Sequence, residues 1–186
     1  MRKLMTQIAE KTGNTFMQEH QVPPHLTIAA IETRNENAAI IALEKCVQQL
    51  KQGKLRFISI GAFFPQVLYL EPVLNEYLHE LACAVNTTVK ELPETIVSPY
   101  YQPFSWLPHV TLAKQLSEDQ MLLAFREMQK RFVSLEGMVT RIGIAKTNPH
   151  RDLKVWKLRE KMKYKIECQF RYDWLYYGKI FSLLHK

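Results

Sequence analysis

A two-lobed protein of mixed helices and strands is what this sequence predicts, and three observations predict it. Pro24-His25-Leu26-Thr27-Ile28 and Pro108-His109-Val110-Thr111-Leu112 are near-copies of one another. Each sets a His and a Thr two residues apart in an apolar run that reads as a buried strand, so imidazole and hydroxyl share one face. The chain after each copy repeats too: a helical stretch, then Phe57-Ile58-Ser59-Ile60-Gly61-Ala62 or Val139-Thr140-Arg141-Ile142-Gly143-Ile144, then a Pro-containing turn and a short apolar run. Gly61 falls 36 positions after His25 and Gly143 falls 34 after His109. Two halves of strand, helix, strand, strand, at about 23–72 and 107–158, argue for two lobes with one His-Thr pair in each. Finally, no Gly/Ser-rich or low-complexity linker divides the 186 residues, so both halves belong to one compact unit.

Residues 2–11 read as a helix, with Leu4, Ile8 and the Met5/Ala9 pair at helical spacing and Gly13-Asn14 as the stop. Residues 25–31 read as a strand. Residues 35–52 read as a helix with Ile40, Ile41, Leu43, Val47 and Leu50 inward and Gly53 just past its end. Residues 55–64 and 67–70 form a hairpin. Residues 72–89 form a helix opened by Pro72, a residue suited to the first turn, with Val73, Leu74, Tyr77, Leu78, Leu81 and Val85 on its buried side. Residues 91–108 are a Pro-punctuated loop, after which a helix at 117–133 and strands at 139–144 and 153–156 repeat the order.

Hydrophobic residues make up 47% of the chain, enough for a core of its own, and no apolar stretch approaches membrane-spanning length. Met1-Arg2-Lys3-Leu4 is not followed by a signal-peptide core. Cys46, Cys83 and Cys168 are odd in number and far apart, which fits reduced thiols in a cytoplasmic protein; a monomer is expected. Residues 1–150 hold 15 Lys/Arg against 14 Asp/Glu, whereas residues 151–186 hold 10 against 4, so the end of the chain supplies most of the net +7. A basic segment of this kind either solvates one face or attracts a nucleic acid or nucleotide by its field.

The duplicated His-Leu-Thr and His-Val-Thr motifs, His25 to Thr27 and His109 to Thr111, resemble those of the 2H phosphoesterases. That group includes the bacterial 2'-5' RNA ligase-like proteins and the eukaryotic cyclic nucleotide phosphodiesterases of tRNA splicing. The resemblance spans residues 1–158 and implies a bilobed, pseudo-twofold α+β fold whose two antiparallel sheets face a central groove, with helices outside. It implies His25 and His109 as catalytic residues and Thr27 and Thr111 as phosphate-binding residues, with no metal or other cofactor in the chemistry. The partner it implies is RNA or a nucleotide, at no membrane. The other reading is a binding module that keeps the groove and turns nothing over.

The chemistry suits those residues. Opening a 2',3'-cyclic phosphate with water is an in-line displacement at phosphorus. One group takes a proton from the water while another gives one to the departing ribose oxygen on the far side. Histidine, with an ordinary pKa of about 6.5, exists in either form near neutrality, so a pair can act as base and acid. The two threonine hydroxyls can donate to the non-bridging oxygens, where charge builds. A lone strand histidine is more often a core residue bonded to a carbonyl; the duplication within a repeat is what favours catalysis here. Zinc is the chemical rival, but no Cys or acidic residue stands within or just before either motif to supply a third ligand.

Between the halves, Ser98-Pro99-Tyr100-Tyr101-Gln102-Pro103-Phe104-Ser105-Trp106 carries four aromatic rings. Tyr100 or Tyr101 is the expected substrate-binding ring, stacking on a nucleobase, while Phe104 and Trp106 are expected to close the core. Family members usually open with an apolar strand, whereas here Met1 falls almost at the start of the first helix. Residues 159–186 form a basic, aromatic C-terminal extension in which apolar and polar residues alternate from Met162 to Arg171. That alternation predicts a strand at 162–171 pairing with one of the sheets.

Overall fold

The computed structural model describes residues 1–147 and 151–160. The expected strand at 162–171 lies outside the described residues, as do Cys168, His150 and His185.

Helix α1 (Arg2–Thr12) buries Met5, Ile8 and Thr12 along one side. It ends at Gly13, whose φ of 71° places it in the left-handed region while its N–H donates to Ala9 O. A single turn, α2 (Phe16–Glu19), comes next and is too short to show a periodicity. Strand β1 covers only Ile31–Thr33. The expected strand at 25–31 is thus a correction: residues 22–30 carry no regular structure. The Ile28 carbonyl is taken by the Asn86 side chain and not by a neighbouring strand.

Helix α3 (Glu36–Val47) is capped by Asn35, whose side chain accepts the Ala38 N–H at 2.9 Å. It stops short of residue 52, because Lys51 makes an isolated bridge to Arg159 and the Gln52 N–H donates to Arg159 O at 2.8 Å. Strands β2 (Gly53–Phe63) and β3 (Val67–Pro72) form the expected antiparallel hairpin. Pro72 closes β3 and opens no helix. Helix α4 (Glu76–Lys90) starts after Asn75, whose side chain accepts the Leu78 N–H at 2.9 Å. An N-cap acceptor fixes a helix start more firmly than a proline, which merely tolerates one.

The expected loop at 91–108 contains a strand, β4 (Thr95–Val97), and a short helical turn at Pro99–Tyr101. Then come β5 (Val110–Ala113) and α5 (Glu118–Arg131). A capping box opens α5, in which Ser117 and Gln120 each bond the other's backbone N–H. The expected strand at 139–144 is two strands, β6 (Leu135–Val139) and β7 (Arg141–Lys146), broken at Thr140; β8 (Arg151–Lys157) completes the order.

All pairings between these strands are antiparallel: β5-β3-β2-β6 is a four-stranded sheet, and β1-β4 and β7-β8 are two-stranded. The architecture is α+β. On one face of the larger sheet, Leu55, Phe57, Leu68, Leu70, Val110 and Leu112 join Ile8 of α1 and Met121, Ala124 and Met128 of α5 in the main core. A smaller core gathers Leu43 and Val85 with Ile31, Val97, Ile142, Ile144 and Trp156. The halves of the sequence therefore exchange their hairpins. The β2-β3 hairpin of the first half pairs with β5, which carries the second motif, while β7-β8 of the second half packs with α3 of the first. No helix among the described residues is long and apolar enough to cross a membrane.

Candidate active site

Both motifs turn their small apolar residues toward the main core. Val110 and Leu112 are buried in it, and Leu26 and Ile28 pack against it. Alternation then sets His109 and Thr111 on the other face of β5, and His25 is exposed.

The two imidazoles are held alike. His25 Nδ1 lies 2.8 Å from Pro23 O, and His109 Nδ1 lies 2.9 Å from Leu107 O. A carbonyl oxygen only accepts, so Nδ1 is the donor in both rings and the remaining ring nitrogen is Nε2. In each case the acceptor lies two residues before the His, with a proline between them. That proline holds the backbone before it extended, which sets the carbonyl for the bond.

Around the second motif the site is dense. Thr111 is registered opposite Tyr69, and Tyr69 opposite Gly61, so the three lie in one row across the sheet. The Tyr69 ring lies over Gly61, where a Cβ would fall inside it. Its centroid is 4.4 Å from that of Phe63 and 5.4 Å from that of His109, and Phe63 meets His109 edge-on at 4.8 Å. His109 is thus bracketed by two rings. Two residues along β3, Glu71 accepts a hydrogen bond from Ser59 Oγ at 2.9 Å. Burial, with the Glu71 carboxylate adding to it, holds the Tyr69 phenol above its usual range, so at neutral pH it is a hydroxyl and a donor. Phe63 and Tyr69 escaped sequence reasoning, since in a hairpin of apolar alternation they look like ordinary strand residues. Only the register shows that Tyr69 is Thr111's neighbour.

The first motif rests on different supports. Asn86 of α4, 1% exposed, donates from Nδ2 to Ile28 O at 2.9 Å and to Ala82 O at 3.0 Å. Further on, the Ser98 N–H donates to Ala30 O at 2.9 Å. A buried side-chain amide thus takes the Ile28 carbonyl in place of a strand partner. Replacing Asn86 with Leu keeps the volume but leaves the Ile28 carbonyl unpaired, and is expected to cost about 1–3 kcal/mol in chemical denaturation. Amide exchange should then quicken at residues 26–31 but not at 110–113. Equal exchange in both proteins would mean that other contacts order the segment.

The aromatic loop separates into unlike rings. Tyr100 is 80% exposed, whereas Tyr101 packs against the main core. Trp106 is buried as expected, but Phe104 is 81% exposed and does not close the core; with φ of 65°, its ring lies tilted against His79 of α4 with centroids 3.9 Å apart. His79 Nε2 in turn lies 3.3 Å from Cys83 Sγ, and the His20 ring stacks on Phe16.

No curated protein matches the chain. The family model that does match, that of the 2'-5' RNA ligase superfamily, covers residues 6–151 and so includes both His-x-Thr motifs. With well over half of its length matched, the chain belongs to the 2'-5' RNA ligase superfamily, the 2H phosphoesterases.

Proposed function

We infer that this protein is a metal-independent phosphoesterase that hydrolyses, or reversibly ligates, 2',3'-cyclic or 2'-5'-linked ribonucleotide phosphodiesters. The matched Nδ1-to-carbonyl bonds of His25 and His109 carry the inference. Each ring presents Nε2 as its working nitrogen, so one can accept the proton of the attacking water while the other donates to the leaving ribose oxygen. In this reading the two His-Thr pairs face a common groove between two lobes, related by a pseudo-twofold axis, and the phosphate sits between the imidazoles. Thr27 and Thr111 donate to its non-bridging oxygens. A base extending from the phosphate stacks on Tyr100.

Incubation with a panel of 2',3'-cyclic nucleotides and 2'-5' dinucleotides in EDTA tests the reading. Turnover undiminished by the chelator is expected. Binding without any turnover would assign the groove to recognition alone.

Exposure separates the two tyrosines. Tyr100→Ala should raise KM for nucleotides by an amount worth about 1–3 kcal/mol with the fold intact. Tyr101→Ala, which removes a ring from the core, should lower stability instead. Unchanged kinetics in Tyr100→Ala would exclude stacking there.

A further inference from the structure

The face of β7-β8 turned away from the smaller core breaks a rule of sheet pairing. Ile142 and Trp156, registered opposite one another, point into that core. Their neighbours Arg141 and Lys157 are likewise direct partners and both exposed, so they share the other face. Two like charges directly opposite in an antiparallel pair repel each other.

The row continues. Leu158 is 2% exposed and lies between Lys157 and Arg159, which sets both cations on the outward side. Arg159 is bridged to Lys51, also exposed. Four cations from three separate stretches of chain are thus contiguous. Among the described residues the ion pairs are Arg131 with Glu127, Lys146 with Glu36 and Lys154 with Glu44, and none of the four takes part in one. The sequence beyond Glu160 adds to the charge: residues 161–186 hold six Lys/Arg and two Asp/Glu.

We propose that Arg141, Lys157, Arg159 and Lys51 form a track for the phosphate backbone of a single-stranded RNA whose end is processed at the histidines. Mutual repulsion among these cations is relieved by a polyanion, and successive outward positions on an extended strand, about 6.6 Å apart, suit a chain of regularly spaced phosphates. The track lies at the Gly53 end of β2, about 26 Å along the strand from Gly61, the glycine beneath Tyr69. A mononucleotide at the histidines cannot span that distance, whereas an oligonucleotide can. The inference rests on the phosphoesterase reading for what happens at the RNA end, but not for the binding itself.

The test compares the full chain with the Arg141→Gln/Lys157→Gln/Arg159→Gln variant. Binding of a fluorescent RNA of ~12 nucleotides, a length typical of single-strand sites, is followed by anisotropy over a range of salt. The triple variant should bind at least tenfold more weakly at low salt. Its log K against log[salt] slope should be shallower by about 2, or ~0.7 for each phosphate no longer neutralised. Hydrolysis of a 2',3'-cyclic mononucleotide should stay within about twofold of the parent's. Equal affinity and equal slope in the two proteins would overturn the track. So would an equal loss on the mononucleotide, which would place these cations in the catalytic site. Failure to cleave any cyclic phosphate would instead sink the phosphoesterase reading and leave the binding result to stand or fall by itself.

Discussion

Replacing His25 or His109 with Ala is expected to lower turnover by about 10²–10⁴-fold on any phosphodiester the protein cleaves, the range for losing a positioned acid or base. The double variant should lose far less than the product of the two, because either loss disables the same concerted step. Since one ring must be neutral while the other is protonated, the rate should follow a bell-shaped pH profile whose two limbs belong to the pair. Asn is an informative alternative at either position. Its Nδ2 can occupy roughly the place of Nδ1–H toward Pro23 O or Leu107 O, but it offers no titrating nitrogen, so it should restore backbone order and not rate. Thr27→Val and Thr111→Val should slow turnover by a smaller factor, and Ser at either position should be tolerated better. Wild-type turnover in both His→Ala variants would remove these residues from the chemistry.

Local chemistry was the legible part of this fold. The stop at Gly13, the β2-β3 hairpin and the Ser117 start of α5 follow from backbone preference and capping within a few residues, and each stands where the sequence puts it. Signals failed where a competing local acceptor or a distant partner decided. Asn75 displaced Pro72 as the opening of α4, and the bridge between Lys51 and Arg159 ended the helical reading at Val47. The first motif reads as a strand because it copies the second, yet its Ile28 carbonyl is held by Asn86, 58 residues away. The repeat itself was visible, but not that the hairpins exchange, since pairing of β3 with β5 is a long-range choice that no window of sequence contains. Site residues divide in the same way. His25, Thr27, His109 and Thr111 announce themselves by spacing, whereas Phe63, Tyr69 and Gly61 become neighbours of His109 or Thr111 only through the sheet register.

Gly61→Ala is expected to damage catalysis without touching a catalytic residue. The new methyl group would occupy the space of the Tyr69 ring, and that ring already touches Phe63 and neighbours His109, so it cannot move without displacing one of them. Gly53 supplies a control of the same kind, because there the ring of Tyr77, whose hydroxyl donates to Lys51 O at 3.0 Å, covers the glycine at the far end of the same strand. Both alanine variants should lose about 1–3 kcal/mol of stability in denaturant, the usual cost of overpacking. Only Gly61→Ala should also lose about tenfold or more in kcat/KM, equivalent to ~1.4 kcal/mol at the transition state. Removing the obstructing ring should separate strain from position: Tyr69→Leu in the Gly61→Ala background should recover stability, giving a coupling energy well outside simple additivity. It should not recover rate, because the ring that brackets His109 is then gone. If Gly61→Ala and Gly53→Ala turn over alike at equal folded fraction, Tyr69 merely fills space and His109 is oriented by its bond to Leu107 O alone.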